Sequence, residues 1–293
     1  MRHSFISAAS SILVGSALLV SACQTASAPS MQYNPAAMAS SLAAQSSEVK
    51  ARYNARHPAE TLEFFGIRPG MTVVEALPGG GWYTKILLPY LGPEGRLEAA
   101  HYPDGMWPNI RTNKDWVAER VEETRVWPEK AAGWHIENAA SIGSFSFSEM
   151  PARVDGTADA VLFIRTLHNL NRFEDKTGYF SDVLTDAYRA LKPGGILGVV
   201  QHRAPADKTG AWADGSHGYL KQDYMIKAFE DVGFIFEAAS EINANPKDKP
   251  GDTDIVWRLA PTLATTKENT PEREAILAIG ESDRMTLRFR KPG

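Results

Sequence analysis

Short apolar runs alternate with amphipathic segments along most of the chain. Four runs of aliphatic and β-branched residues predict buried strands, at residues 71–77, 95–101, 158–164 and 196–200. Apolar residues at helical spacing between and after these runs predict helices at 82–91, 114–123, 175–191 and 220–232. Alternating strands and helices predict an α/β fold with a doubly wound, mostly parallel sheet. The alternating segments 234–239 and 285–289 are expected to close this sheet, with an antiparallel strand.

The first 22 residues follow a different pattern. Arg2 and His3 precede a short apolar run that contains no acidic residue. A basic start, a short apolar stretch and then small residues are typical of a secretory signal peptide. The run is too short and too rich in serine for a permanent membrane span. We therefore expect residues 1–22 to direct export.

Cys23 is the only cysteine and directly follows Leu19-Val20-Ser21-Ala22. This arrangement resembles the lipobox of bacterial lipoproteins, in which the cysteine becomes the lipid-bearing N-terminus after cleavage. The resemblance implies a membrane anchor at Cys23, and Gln24 after it favours an outer-membrane protein that faces the periplasm. The alternative is ordinary cleavage after Ala28, which would leave a soluble periplasmic protein.

The residues after the cysteine differ again in composition. Residues 23–45 consist largely of Ala, Ser, Pro, Thr and Gln with almost no charge, which is typical of a flexible tether. Helical spacing begins near residue 47 and is interrupted at His57-Pro58. We expect residues 46–293 to form one globular domain.

Composition and charge narrow the possible functions. Hydrophobic residues make up 43% and charged residues 23% of the chain, which excludes a collagen-like, coiled-coil or wholly disordered protein. The formal charge of −4 gives no general attraction to nucleic acid or anionic lipid. The histidines are scattered singly and there is one cysteine, so we expect no metal site. The basic segment 284–291 is interpreted as a solvated edge strand.

A glycine-rich turn, Pro78-Gly79-Gly80-Gly81, separates the first predicted strand from the next helix. Such a turn offers backbone N–H groups and the positive end of a helix to a ligand, and glycines permit close approach. Glu75, at the end of the strand, can accept hydrogen bonds from an ammonium or hydroxyl group. The pattern suits a small zwitterionic or nucleoside ligand. Tight packing of the helix on the sheet is the alternative use of these glycines.

Two histidines follow later strands at the same edge of the sheet. His168 comes after the strand at 158–164, and His202 comes after the strand at 196–200. Because ligands of open α/β sheets lie beyond the carboxyl ends of the strands, both side chains should face one crevice. Histidine transfers protons near neutral pH. A structural hydrogen-bonding role is the alternative for each.

Aromatic residues supply further candidates. Tyr83, in the first turn after the glycines, either contacts a ligand or packs in the core. Four tryptophans fall in one irregular insertion, and they form either a lid over a hydrophobic substrate or a satellite core: Trp107, Trp116, Trp127 and Trp134.

Several motifs, in order, resemble class I S-adenosylmethionine-dependent methyltransferases. The segment 73–84 looks like motif I of that family, and three later landmarks lie at 91–97, 159–162 and 191–195. Segments 56–60, 78–84 and 283–292 also resemble a bacterial group of predicted methyltransferases. The resemblance covers nearly all of residues 50–293 and implies a Rossmann-like fold that uses S-adenosylmethionine.

The resemblance assigns roles to the candidate residues. It implies that the cofactor is bound by Glu75, Pro78, Gly79, Gly80, Gly81, Tyr83 and His101. His168 or His202 would then orient or deprotonate an unknown small-molecule acceptor.

The sequence departs from the family at two positions. Leu77 stands where motif I has its first glycine, so we expect a different or tighter loop path. His101 stands near the place of the acidic residue that holds the ribose hydroxyls, and a neutral imidazole can still bond a hydroxyl. Export also separates the protein from cytoplasmic S-adenosylmethionine. Two alternatives follow: a non-catalytic ligand-binding lipoprotein that retains the fold, and an envelope interaction protein that uses the tryptophan-rich insertion.

Overall fold

The computed structural model of the chain describes Met1, His3 and residues 32–293. The predicted signal peptide, apart from Met1 and His3, lies outside the described residues, as does the predicted lipidation site Cys23. The described fold is that of the unit from residue 32 onward.

Seven strands of this unit form one sheet. They are β1 (Thr72–Ala76), β2 (Arg96–His101), β3 (Ser141–Ser146), β4 (Ala158–Ile164), β5 (Leu191–His202), β6 (Ile235–Ser240) and β7 (Arg284–Arg290). Their order is β3-β2-β1-β4-β5-β7-β6. Strands β1 to β5 pair in parallel, whereas β7 runs antiparallel between β5 and β6. The doubly wound, mostly parallel sheet with an antiparallel closing strand is thus confirmed.

Helices flank the sheet and connect its strands. In the described part of the chain they are α1 (Pro35–Ala43), α2 (Ser47–Lys50), α3 (Tyr53–Arg56), α4 (Pro58–Phe64), α5 (Thr84–Leu91), α6 (Trp107–Ile110), α7 (Lys114–Arg125), α8 (Trp127–Ala132), α9 (Leu167–Arg172), α10 (Glu174–Thr177), α11 (Tyr179–Ala190), α12 (Gln222–Val232) and α13 (Pro271–Ile279). Short 3-10 turns lie at Asp104–Met106, Ala152–Val154 and Val256–Arg258. Among the described residues, no helix has the length and apolar character needed to cross a bilayer.

The core is divided between the two faces of the sheet. Successive residues of β1 point to opposite faces, so Val73 packs under α4 and α5, whereas Val74 packs toward α11 and α12. Both side chains are fully buried. Burial of each large aliphatic chain contributes about 1.5–3 kcal/mol, and these two layers hold the carboxyl ends of the strands in place.

Helix α1 corrects the predicted tether. Residues 35–43 lie within the segment 23–45, whose composition predicts no fixed structure, yet they form a helix capped by the side chain of Asn34. Met38 of this helix is buried in the same cluster as Tyr90 of α5. The helix forms because Met38 contributes apolar surface to that cluster, so the folded domain begins before residue 46.

The basic segment 284–291 corresponds to β7, which is an interior strand and not the predicted solvated edge. Arg284 at its start is buried, and Arg288 and Arg290 form ion pairs with Glu237 of the neighbouring strand β6. The prediction was wrong because alternation along the strand does not reveal that a further strand covers its outer side.

Candidate functional site

A cavity of about 900 Å³ lies at the carboxyl ends of the central strands. Its wall is formed by residues 77–80 after β1, residues 164–166 at the end of β4, and His202 at the end of β5. Residues 256–257, 259–262 and 281–282 also line it. Parallel sheets of this type bind ligands in this position, and the volume suits a ligand of cofactor size.

Leu77 adopts the left-handed backbone conformation that favours glycine, with φ of 57°. Its N–H donates a hydrogen bond of 2.6 Å to the carbonyl of Ala100 on β2, and its side chain lines the cavity. A leucine in this conformation costs about 1 kcal/mol relative to glycine. The loop therefore accommodates Leu77 through backbone strain, in a conformation that a glycine would adopt without it.

The three glycines of the loop have different surroundings. Gly79 and Gly80 line the cavity, and a Cβ atom added at Gly80 would meet nothing within 4 Å. A Cβ atom at Gly81 would lie 2.5 Å from the ring of Trp134. Gly80 thus leaves room for a ligand, whereas Gly81 allows close packing, so the two uses expected of these glycines apply to different residues.

Glu75 does not line the cavity. It is 3% exposed, and its Oε2 accepts a hydrogen bond of 2.6 Å from the hydroxyl of Thr84 at the start of α5. Burial raises the pKa of Glu75 to about 7. Glu75 therefore joins β1 to α5 instead of facing the cavity, because its strand position directs the side chain toward the helix.

Tyr83 packs in the core, which is the second of its two expected roles. It is buried and does not line the cavity, and its hydroxyl donates a hydrogen bond of 3.4 Å to the carbonyl of Arg56. Of the predicted cofactor residues, four line the cavity: Pro78, Gly79, Gly80 and His101. Glu75, Gly81 and Tyr83 do not.

His101 ends β2 and packs edge-to-face on Trp127, with ring centroids 5.3 Å apart. Burial lowers its pKa to about 4, so the ring is neutral at pH 7. Its Nε2 atom is buried and has no hydrogen-bond partner in the described part of the chain. The carboxylate of Asp104, three residues later, accepts a hydrogen bond from Ser146 and not from His101.

His168 and His202 meet at the cavity, as their positions after β4 and β5 predict. Both line it, and their ring centroids are 5.4 Å apart. The side-chain amide of Gln201 lies 3.3 Å from Nδ1 of His168 and can donate to it, which places the imidazole proton on Nε2. Burial lowers the pKa of His168 to about 4.

His202 has a different partner. Its Nδ1 lies 2.6 Å from the hydroxyl oxygen of Ser282. Burial, followed by the charges of His168 and nearby arginines, lowers its pKa well below the usual value. Both imidazoles are therefore neutral at pH 7, the form that can accept a proton.

The tryptophans divide between the two expected roles. Trp107 and Trp116 line the cavity, with ring centroids 5.7 Å apart in an edge-to-face arrangement. Trp127 is fully buried beside Trp134 and does not line it. The insertion thus forms both part of the cavity wall and a small core that supports it.

Four arginines surround one carboxylate at the cavity, and the sequence did not single them out. They are Arg52, Arg56, Arg165 and Arg284, and each forms an ion pair with Glu281. The N···O separations are 3.1 Å for Arg56, 3.5 Å for Arg165 and 3.1 Å for Arg284. Arg52, Arg56, Arg165 and Glu281 line the cavity. Arg165 directly follows β4, and this position at the carboxyl edge was the available signal.

Potential metal ligands do not cluster in this unit. Within the residues that the structure describes, no group of three or more His, Cys, Asp or Glu side chains is arranged to hold a metal ion.

The chain matches no protein-family model and no curated protein sequence. Solved structures do resemble it. A geranyl diphosphate methyltransferase in complex with S-adenosylmethionine is 13% identical, with a TM-score of 0.51 over 89% of this chain and 96% of that one. The [4+2]-cyclase SpnF is 13% identical, with a TM-score of 0.51 over 81% of this chain and 80% of that one.

A methyltransferase from Aquifex aeolicus that depends on S-adenosylmethionine is 20% identical, with a TM-score of 0.48 over 67% of this chain and 92% of that one. This chain resembles both a cyclase and a methyltransferase, so the architecture alone does not fix the reaction. Strand order, strand directions and the likeness to the geranyl diphosphate methyltransferase agree: the chain has the fold of class I S-adenosylmethionine-dependent methyltransferases.

Proposed function

We propose that the protein transfers a methyl group from S-adenosylmethionine to a small-molecule acceptor. The observation that carries this proposal is the open cradle at Gly79 and Gly80, which faces the cavity where β1 ends. Backbone N–H groups next to a helix start are well suited to a ligand that contains a carboxylate and ribose hydroxyls.

The residues present fit such a cofactor. Gly80 leaves space where any other residue would place a Cβ atom. Buried polar atoms of His101 and Thr166, two residues that line the cavity, have no partner among the described residues. Residues 77–80 and His101 would hold the nucleoside, and the bound cofactor would supply an electrophilic methyl group on sulfur.

The chain itself contributes two histidines and two tryptophans to the proposed reaction. Neutral His202 can accept the proton of an acceptor hydroxyl or amine, and Ser282 fixes its ring orientation. His168, with its proton on Nε2, can donate a hydrogen bond that orients the acceptor. Trp107 and Trp116 line the cavity, where their rings limit access of water.

Calorimetric titration with S-adenosylhomocysteine tests cofactor binding. We expect Gly80→Ala to keep the fold but to weaken binding about tenfold, or ~1.4 kcal/mol, because its methyl group enters the cradle. Gly210→Ala is the matched control, since Gly210 is exposed, also has open space around a Cβ atom, and lies outside the cavity. Failure of the folded wild-type protein to bind S-adenosylhomocysteine would overturn the proposal.

Transfer is tested with S-adenosylmethionine that carries a labelled methyl group and a low-molecular-weight cell extract. Label should appear in an extract component, and His202→Gln should reduce its appearance at least tenfold while S-adenosylhomocysteine still binds. Binding without transfer to any extract fraction would contradict methyl transfer and favour a protein that only binds its ligand.

We also propose, from the sequence pattern alone, that the mature protein is attached to a membrane through Cys23. Mass spectrometry of the detergent-extracted protein should find acyl groups on an N-terminal cysteine. Cys23→Ser should release the protein from the membrane fraction. An N-terminus at Pro29, produced by ordinary cleavage after Ala28, would contradict the anchor.

A further inference from the structure

The arginine cluster around Glu281 carries more positive charge than the protein neutralises. Arg52, Arg56, Arg165 and Arg284 contribute four positive charges, and Glu281 contributes one negative charge. Within residues 32–293, none of the four arginines forms a salt bridge with any other acidic side chain. The whole chain has a formal charge of −4, so the positive surplus is a local property of this wall.

Burying this excess of positive charge is energetically unfavourable. Arg56 and Arg284 are 4% and 3% exposed. Burial, together with the charges of neighbouring arginines, lowers the pKa of Arg165 to about 9 and that of Arg56 to about 10. A buried charge that lacks a compensating partner destabilises the folded protein. A bound anion would supply the missing negative charge.

Several donors of the cluster remain available. Arg56 reaches Glu281 through Nε alone, and the structure shows no hydrogen bond from its two terminal nitrogens to the described residues. Nε of Arg165 is buried without a partner in the same part of the chain. Arg52, Arg56 and Arg165 line the cavity, so these donors belong to its wall.

The cluster is held in place by contacts outside the ion pairs. The guanidinium of Arg56 lies over Trp82, 4.6 Å from the ring centroid. Arg284, behind the cavity wall, donates to the carbonyl oxygens of Ala55 and Ser282. Guanidinium groups fixed in this way lose little further freedom on binding, and they match the geometry of carboxylate and phosphate oxygens.

The cluster lies between the glycine loop and His202, since Arg56 packs over Trp82, which directly follows the loop. Glu281 and Ser282 precede β7, and Ser282 bonds His202 at the end of β5. The glycine loop and His101 lie at the ends of β1 and β2. Through Glu281 and Ser282 the cluster therefore also adjoins His202, the histidine that the proposed reaction uses as a base.

We infer that the acceptor is an acidic small molecule whose carboxylate or phosphate group is bound by Arg52, Arg56 and Arg165 beside His202. The reaction in this inference rests on the proposed function, whereas the binding of an anion does not. A carboxylate of the cofactor itself would use the same chemistry, so the experiment must distinguish the two sources.

Titration with inorganic phosphate, in the absence and then in the presence of saturating S-adenosylhomocysteine, tests the inference. We expect binding in both conditions, and an affinity at least tenfold weaker in Arg165→Gln and Arg56→Gln. The matched control is Arg172→Gln, which removes an exposed arginine and should change nothing. Arg52→Gln, at a residue only partly buried, gives a further measurement if Arg56→Gln, at a buried residue, fails to fold.

A second titration compares the affinity for S-adenosylhomocysteine with that for 5′-methylthioadenosine, which lacks the carboxylate. We expect the arginine variants to bind both as the wild type does. A loss of affinity for S-adenosylhomocysteine alone, with displacement of phosphate by it, would assign the cluster to the cofactor and overturn the inference. Absence of phosphate binding, or binding that the arginine variants do not weaken, would also overturn it. Because phosphate binding is measured without cofactor, it tests the anion site independently of the proposed methyl transfer.

Discussion

The hydroxyl of Thr84 donates a hydrogen bond of 2.6 Å to Oε2 of Glu75. The sequence pattern predicts that Glu75 binds a ligand, yet this bond directs its carboxylate into the protein. The two residues flank the glycine loop, since Glu75 lies in β1 and Thr84 begins α5. Their contact fixes the ends of the loop that lines the cavity.

Glu75→Gln should therefore stabilise the protein above neutral pH. Burial raises the pKa of Glu75 in the folded state to about 7 from an ordinary 4.5, so its contribution to stability is present below pH 4.5 and is lost as the pH rises through 7. The glutamine oxygen keeps an acceptor for Thr84 without the buried charge. Urea unfolding at pH 8 should show a gain of about 1–3 kcal/mol, and Glu129→Gln, at an exposed site, should show none. A less stable Glu75→Gln variant at pH 8 would contradict this.

The buried histidines should make the folded protein less stable as the pH falls. Burial lowers the pKa of His101 and His168 to about 4 from an ordinary 6.5, so stability is present above pH 6.5 and is lost as the pH falls toward 4. Each histidine contributes a slope of up to about 1.4 kcal/mol per pH unit in that interval.

His101→Phe removes the contribution of His101 to this pH dependence of stability. The phenyl ring can keep the contact with Trp127, and the variant should lose less stability than the wild type between pH 6.5 and 4.5. His135→Gln, at an exposed position, is the comparison that should follow the wild type. Parallel stability curves for His101→Phe and the wild type would show that His101 is not buried in its neutral form.

Leu77 offers a test of backbone strain in the loop. Alanine and glycine both remove the leucine side chain, but only glycine adopts φ of 57° without a steric cost. Leu77→Gly should therefore be more stable than Leu77→Ala by about 1 kcal/mol, the reverse of the usual order in regular structure. Denaturant unfolding of the two variants measures the difference directly, and equal stabilities would refute the left-handed conformation.

Asp248 supports two segments that line the cavity, those around residues 257 and 282. Its carboxylate accepts hydrogen bonds from Arg258 at 2.8 Å, from Tyr219 at 2.9 Å and from the backbone N–H of Asp283 at 3.0 Å. Asp248→Ala leaves Arg258 with only the more distant carboxylate of Asp254, at 3.4 Å, and should cost about 3 kcal/mol. Tyr219→Phe removes one hydrogen bond and should cost about 1 kcal/mol. Thermal unfolding that ranks the two variants in the other order would contradict this account.

Hydrophobic pattern was sufficient to predict most of the fold. β1, β4 and β5 are dominated by apolar side chains because helices cover both faces of the sheet, and these strands were the clearest in the sequence. β3, Ser141–Ser146, was not predicted, since its serines and glycine give it a weak pattern and it pairs only with β2. The helix predicted at 175–191 is divided at Gly178, which takes a left-handed conformation between α10 and α11.

The site was predicted less completely than the fold. Chain order places Gly80, His168 and His202 at one edge of the sheet, and the cavity does bring them together. The arginine cluster joins α3, β4 and the segment before β7, so it depends on contacts between residues more than a hundred positions apart. Apart from the position of Arg165 directly after β4, no local pattern marks such a cluster, because each of the other arginines taken alone is indistinguishable from one that is solvated.

Helix α1 determines which fragment of the chain can be purified for these experiments. Truncation at residue 46, where the composition changes, would remove Met38 from the core and uncover Tyr90 and its neighbours on α5. The backbone N–H of Asn34 also donates to the hydroxyl of Tyr90 at 3.3 Å. A fragment that starts at Gln32 preserves these contacts, whereas one that starts at Ser46 would expose an apolar patch and aggregate.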